Sequence, residues 1–413
     1  MRLSKPVSFF LLASIVVSFL AGSSAPSPLY SVYQAAWGFS PITITIVFGI
    51  YAFAVLASLL TVGSLSDYIG RKPVLLVATL VQAVTMILFT TASSVSGLIV
   101  ARIVQGLATG AAMGAVGAGM LDIDRAKGTL ANAVSPLTGT ALGGILGGLI
   151  AQYLPAPTHT VYWVLFAVFL IQAAGVALMP DSTETKPGAL ASLRPHFSLP
   201  AQVRQPMLLA VPVLIATWAL AGFYASLGPT LVRRLVGTDS LSLGGLVIFV
   251  IAGSGALAVW LMHARPAKEL MTLGSAALAI GVAITLGAIP ERSTAVFFVG
   301  AAIAGIGFGA GLQGAIRMVV PLAAPHERAG VLSTVYVVAY LAMGLPAVFG
   351  GIGVVYGDGL FATARDYGFG VIVLAVVALA GTLLKRPVMV AATVATPSQN
   401  PVAAWRNDSD VVR

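Results

Sequence analysis

Gly63-Ser64-Leu65-Ser66-Asp67-Tyr68-Ile69-Gly70-Arg71-Lys72-Pro73 is a short polar stretch set between two long apolar runs. The run before it, Pro41–Val62, and the run after it, Val74–Thr91, are each long enough to cross a hydrocarbon layer about 30 Å thick as a helix. So short a connection makes the two spans antiparallel neighbours. Gly63 and Gly70 allow sharp turning and close backbone approach, while Asp67, Arg71 and Lys72 place opposite charges within a few residues at the membrane surface.

The composition extends this reading to the whole chain. Of 413 residues, 58% are hydrophobic and only 8% are charged, against roughly 25% charged in soluble domains. A multi-span membrane protein is expected, with the lipid bilayer as its first partner. There is no cysteine, and the four histidines show no H-x-x-x-H spacing, so neither a metal site nor a cofactor is expected.

Further apolar runs place twelve spans: Pro6–Tyr33, Pro41–Val62, Val74–Thr91, Ser96–Leu121, Gly128–Leu154, Thr160–Met179, Pro206–Val232, Leu241–Met262, Leu270–Ile289, Ser293–Arg317, Gly330–Tyr356 and Tyr367–Leu384. Ala21–Ala25 could pass for a signal-peptide cleavage site, but removing the first span would leave an odd number, so it is kept as span 1. On this topology Arg233, Arg234, Arg292 and Arg365 lie on one side and Arg102 lies inside a span. The other 17 of the 22 Lys and Arg share the side of the Gly63–Pro73 loop. By the positive-inside rule that side is the cytoplasm, with both termini there, and the net charge of +9 reflects orientation and not a nucleic-acid partner.

Residues 180–205 hold Asp181, Glu184, Lys186, Arg194 and Arg204 with internal prolines and no spanning run, which reads as a cytoplasmic linker. The expected organisation is therefore an all-α membrane protein of two six-helix bundles, 1–179 and 206–387, followed by an unstructured cytoplasmic tail, 388–413, that contains Trp405. Repetition supports two related halves. Asp124-Arg125-Ala126 matches Glu327-Arg328-Ala329 at an offset of 203 residues, and the same offset carries Gly147-Gly148 onto Gly350-Gly351.

The loop pattern G-x-L-(A/S)-D-x-x-G-R-K between spans 2 and 3 resembles the signature loop of the major facilitator superfamily, with Tyr68 where the family often has arginine. The resemblance implies that Asp67 faces the start of span 11, near Gly330, and that Arg71 pairs with an acid at the end of span 4, here Asp122 or Asp124. A carboxylate at a helix amino end gains up to about 2 kcal/mol. Such contacts form only when the halves meet on the loop side, and a bias of about 1–3 kcal/mol toward the outward-open state follows. The corresponding loop of the second half, His263–Glu269, lacks the Asp and the glycines, so the two gates are expected to be unequal.

Arg102-Ile-Val-Gln105-Gly106 resembles the superfamily's span-4 signature, whose arginine is implicated in proton coupling. A second reading is structural, with Arg102 bonding carbonyls where span 1 is broken near Pro26 and Pro28; both stay open. Span 5 carries Gly139, Gly143, Gly144, Gly147 and Gly148, which resembles the antiporter signature G-x-x-x-G-P-x-x-G-G with Gly144 in the proline position. Glycines at this spacing form a flat stripe for close helix packing. Asn132, Gln313, Tyr336, Tyr340, Tyr30, Trp218 and Tyr224 are the candidates for lining a substrate cavity.

No acidic residue lies deep in a span, which disfavours organic cations as substrates. The expected activity is secondary transport by alternating access, with proton-coupled efflux of small neutral, amphipathic or weakly anionic compounds, most like the drug:proton antiporters of that superfamily. The expected setting is the bacterial inner membrane, as a monomer. Proton-coupled uptake of a sugar or organic acid, and a non-transporting receptor, are the alternatives. No nucleophile, base or metal cluster suggests an enzyme.

Overall fold

The computed structural model describes residues 3–180, 185–195 and 197–384. Asp181, Glu184 and the 388–413 tail with Trp405 fall outside the described residues. Twelve helices in the described chain are long and apolar enough to span a membrane. Most agree with the sequence reading within a turn, and the differences have local causes.

Span 1 is not continuous. A helix over Lys5–Ser24 gives way to a turn at residues 25–29 and restarts as Tyr30–Trp37. Pro26 and Pro28 lack the N–H donors that a continuous helix needs, and Gly38, at φ +66°, ends the second piece in the left-handed conformation. Span 7 repeats the device: Ala201–Ser226 is followed by Gly228–Val236, with Pro229 in its first turn and Gly237, at φ +71°, closing it. Pro26 and Pro229 stand at the same 203-residue offset as the other repeat matches. Span 7 also starts earlier than expected, at Ala201, with Pro206 accommodated inside it. Span 12 runs over Gly359–Leu384, so Asp366, expected at a helix boundary, lies in its early turns, where it is exposed.

Spans 1–6 share a core around Leu12, Ile15, Phe19, Leu75, Phe89 and Phe169. Spans 7–12 enclose two, one around Leu220, Val247, Leu278 and Phe297, the other around Val203, Leu214, Met271 and Val331. Two extensive helix pairs join the halves, and span 2 also touches span 7. Span 5 (Arg125–Tyr153) packs on span 8 (Leu241–Leu261), and span 2 (Pro41–Thr61) packs on span 11 (Arg328–Tyr356).

The span-5 glycines divide between these duties. A Cβ on Gly139, Gly143 or Gly147 would strike span 1 at Val17, Ala21 and Ala25 respectively. A Cβ on Gly144 would lie 2.7 Å from the Cβ of Ile248, and one on Gly148 would lie 2.9 Å from the Leu241 carbonyl oxygen. One row therefore binds span 5 to its own half, and the other binds it to the opposite half. Gly351 repeats the arrangement against Thr45 of span 2. A hydrogen bond from the Leu241 N–H to Gln152 Oε1, at 2.7 Å, joins the halves at the end away from the Gly63–Pro73 loop, called here the far end.

Gly148→Leu is expected to wedge this seam. Overpacking costs about 1–3 kcal/mol, roughly a 5- to 150-fold shift in population. The measurement is oxidative cross-linking of Gln152→Cys with Leu241→Cys in the otherwise cysteine-free chain. Cross-linking should slow in the Gly148→Leu background.

Candidate functional site: the polar loop and the aromatic ladder

The Gly63–Pro73 loop folds as a turn, a four-residue helix over Ser66–Ile69, and then Gly70, whose φ of +96° and ψ of 154° suit glycine alone. Gly63 is held tight as well: a Cβ on Gly114 of span 4 would lie 3.0 Å from the Gly63 carbonyl carbon. Arg71 begins span 3 and is 8% exposed. It donates to Asp67 Oδ1, to Ser66 Oγ at 2.8 Å, and through Nε to Asp122 Oδ2 at 3.2 Å. Of the two acids offered by the sequence, Asp122 is thus the partner. Asp124 instead caps span 5, accepting the Lys127 N–H at 2.9 Å, and that bond holds its carboxyl below the usual carboxylate range.

The Asp67 side chain is 54% exposed and its ion pair is with Arg71, with no hydrogen bond or ion pair to span 11 among the described residues. Every ion pair among the described residues lies within one half, and Lys72 makes none. The second half's loop is tied down with the charges interchanged. Arg265 pairs with Glu269 at 3.4 Å, where the first half has Asp67 and Arg71 at the same four-residue spacing, and Arg317 from span 10 donates to the His263 carbonyl at 2.6 Å.

Arg102 is fully buried inside the first half. Its Nε donates to the Tyr30 hydroxyl at 2.7 Å, and Nη1 donates to the Ser23 carbonyl at 2.9 Å and to Gln105 Oε1 at 2.6 Å. Gln105 Nε2 in turn donates to the Gly22 carbonyl at 3.0 Å. The rings of Tyr30, Tyr51 and Phe89 lie 5.5, 5.2 and 5.5 Å from the guanidinium carbon. The guanidinium thus holds span 1 on both sides of its break, at Ser23 before it and Tyr30 after it, through neutral oxygens and aromatic faces, with no carboxylate among its partners.

The cavity candidates separate. Trp218 and Tyr340 stand 5.0 Å apart, and Tyr340 and Tyr336 6.5 Å apart, forming an aromatic ladder. It lies beside Phe48, Ala52 and Met343 where spans 2, 7 and 11 converge. The sheltered Trp218 indole nitrogen has no hydrogen-bond partner. Gln313 is partly buried. Asn132 Nδ2 donates to the Gly117 carbonyl at 3.0 Å, bracing span 5 on span 4. Tyr30 and Tyr224, expected to line the cavity, are buried within their own halves at 2% and 5% exposure: Tyr30 is spent on Arg102, and Tyr224 packs against Phe223 and Phe297.

Residues 11–345 match the family model of the Major Facilitator Superfamily. The chain belongs to that superfamily. The multidrug resistance protein MdtL of Klebsiella pneumoniae (strain 342) is 24% identical over 354 residues, covering 80% of this chain and 85% of that protein. The tetracenomycin C resistance and export protein of Streptomyces glaucescens is 32% identical over 138 residues, covering 32% of this chain and 25% of its own length. Among solved structures, a bacterial homologue of the human lysosomal transporter Spinster, captured inward-facing and unoccupied, superposes with a TM-score of 0.72 at 14% identity. The match covers 92% of this chain and 97% of that one.

This superfamily member also uses its linker in a way that the sequence reading did not anticipate. The Lys186 N–H donates to the Tyr68 carbonyl at 2.8 Å, and Ser64 Oγ donates to the Ser192 carbonyl at 3.2 Å. Gly188, at φ +107°, leaves a Cβ only 3.3 Å from the Tyr68 ring. Further on, Thr334 Oγ1 of span 11 donates to the Ser198 carbonyl at 3.4 Å. Tyr68, the one departure from the loop pattern, was the available signal.

Arg102→Lys separates the two roles left open for the arginine. A single ammonium cannot reach all of Tyr30, Ser23 and Gln105, so stability should fall by about 1–3 kcal/mol in thermal unfolding. An unchanged melting temperature with an altered pH dependence of transport would instead assign Arg102 to proton coupling.

Proposed function

We propose that the chain is a proton-coupled exporter of small neutral, amphipathic or weakly anionic molecules that works by alternating access as a monomer. In this reading the loop end lies in the cytoplasm of a bacterial inner membrane, and both termini lie on that side. One observation carries the proposal: the halves are sealed at the far end through Gly148, Gly351 and the Gln152–Leu241 bond, while at the loop end Asp67 is left without a partner in the opposite half. That is one of the two states such a cycle requires. The loop-end latch, Asp67 on the start of span 11 with Arg71 and Asp122 behind it, belongs to the other state.

Substrate contact is assigned to Trp218, Tyr336 and Tyr340, and to the partly buried Gln313 of span 10. These groups offer flat faces and hydrogen-bond donors to an amphipathic molecule and no carboxylate to a cation. The names of the relatives MdtL and the tetracenomycin C exporter support export over uptake.

Two measurements test this. Everted vesicles with an acidified lumen should accumulate a compound to which a deletion strain is hypersensitive; loading only in right-side-out vesicles would favour uptake. Asp67→Asn removes the latch from the opposite state, so labelling of Ala131→Cys from the loop side should rise, by up to the roughly 5- to 150-fold that about 1–3 kcal/mol of coupling allows. Unchanged labelling in a folded, active variant would remove the latch from the mechanism.

A further inference from the structure

We propose that a groove on the outer flank of the second half is a binding site for a phospholipid with a primary ammonium headgroup, held in the far-end leaflet. The groove measures about 630 Å³ and runs between spans 9 and 12, walled by Ala283, Leu286 and Gly287 on one side and by Phe361, Phe369 and Ile372 on the other. Arg365 is the one charged residue on its described wall. Phe361, Arg365 and Phe369 recur every fourth residue and so share a helix face. From Arg365 to Ile372 span 12 rises about 10 Å at 1.5 Å per residue, about a third of a hydrocarbon core about 30 Å thick. Below Arg365 the wall is apolar and offers water no hydrogen bonds, and the upper part of an acyl chain fits its length and chemistry.

The headgroup follows from the charges at the mouth. Arg365 Nε donates to Asp366 Oδ1 at 3.1 Å, and its two terminal nitrogens have no acceptor among the described residues. Both side chains are well exposed, at 60% and 69%. The guanidinium fork is suited to a phosphodiester, and the adjacent carboxylate to an ammonium one ethylene unit away. Together the pair complements phosphoethanolamine, matches a phosphatidylglycerol headgroup with the arginine alone, and offers a quaternary choline no hydrogen bond at the carboxylate. The site depends on the membrane-spanning fold and not on the direction of transport.

The test is native mass spectrometry of the full chain in detergent, titrated separately with phosphatidylethanolamine, phosphatidylcholine and phosphatidylglycerol of identical acyl chains. Phosphatidylethanolamine should be retained about tenfold more than either other lipid, the difference that about 1.4 kcal/mol confers. Arg365→Gln and Asp366→Asn should each abolish the preference. Gly287→Phe should abolish retention itself, because a Cβ at Gly287 meets nothing within 4 Å and the ring fills the groove without displacing the helices. Equal retention of the three lipids by the unaltered chain, or a preference that survives Asp366→Asn, would overturn the headgroup assignment. Retention that survives Gly287→Phe would overturn the groove.

Discussion

Close approach of helices from opposite halves, backbone to backbone at Gly144 and Gly148 in span 5 and against the Thr45 side chain at Gly351 in span 11, is the constraint on which the architecture rests. Lipid supplies no hydrophobic force between helices, so two bundles adhere only where their surfaces approach closely enough for dispersion and backbone dipoles to act. A side chain at any of these positions would open the seam. The stripe alternates its allegiance along one helix, because positions four apart share a face while the neighbouring row points about 100° away. Span 5 thereby packs on span 1 through Gly139, Gly143 and Gly147 and on span 8 through Gly144 and Gly148.

The two ends of the molecule are held by different forces. At the far end the closure is apolar and nearly free of charge, while at the loop end each half keeps its charges to itself: Arg71 with Asp67 and Asp122, Arg265 with Glu269. The exposed Arg265–Glu269 pair contributes little to stability, typically up to about 1 kcal/mol, whereas Arg71 is buried between its two acids.

Much of this was legible in the sequence. Twelve runs of spanning length, the two-half organisation and the Arg71 acid at the end of span 4 all follow from hydropathy, an internal offset of 203 residues and one loop pattern. The breaks in spans 1 and 7 were less so. Pro26 and Pro229 mark them, but a proline in an apolar run reads equally as a tolerated kink, and only the packing of span 1 on Gly147 and Arg102 turns it into an interruption. The cavity list failed at Tyr30 and Tyr224 because composition gives the depth of a residue and not the direction in which its helix presents it. The linker strap was hidden for another reason: its bonds are mostly to backbone carbonyls, which carry no side-chain signature.

Arg102 carries one further consequence. Its charge is bound to the first half through Tyr30, Ser23 and Gln105 and has no neutralising carboxylate beside it. Moving a unit charge across the whole bilayer changes its energy by about 2.3 kcal/mol per 100 mV. In the cycle proposed above, tilting of the first half would carry that charge through a fraction of the transmembrane voltage and so make the rocking step itself charge-moving.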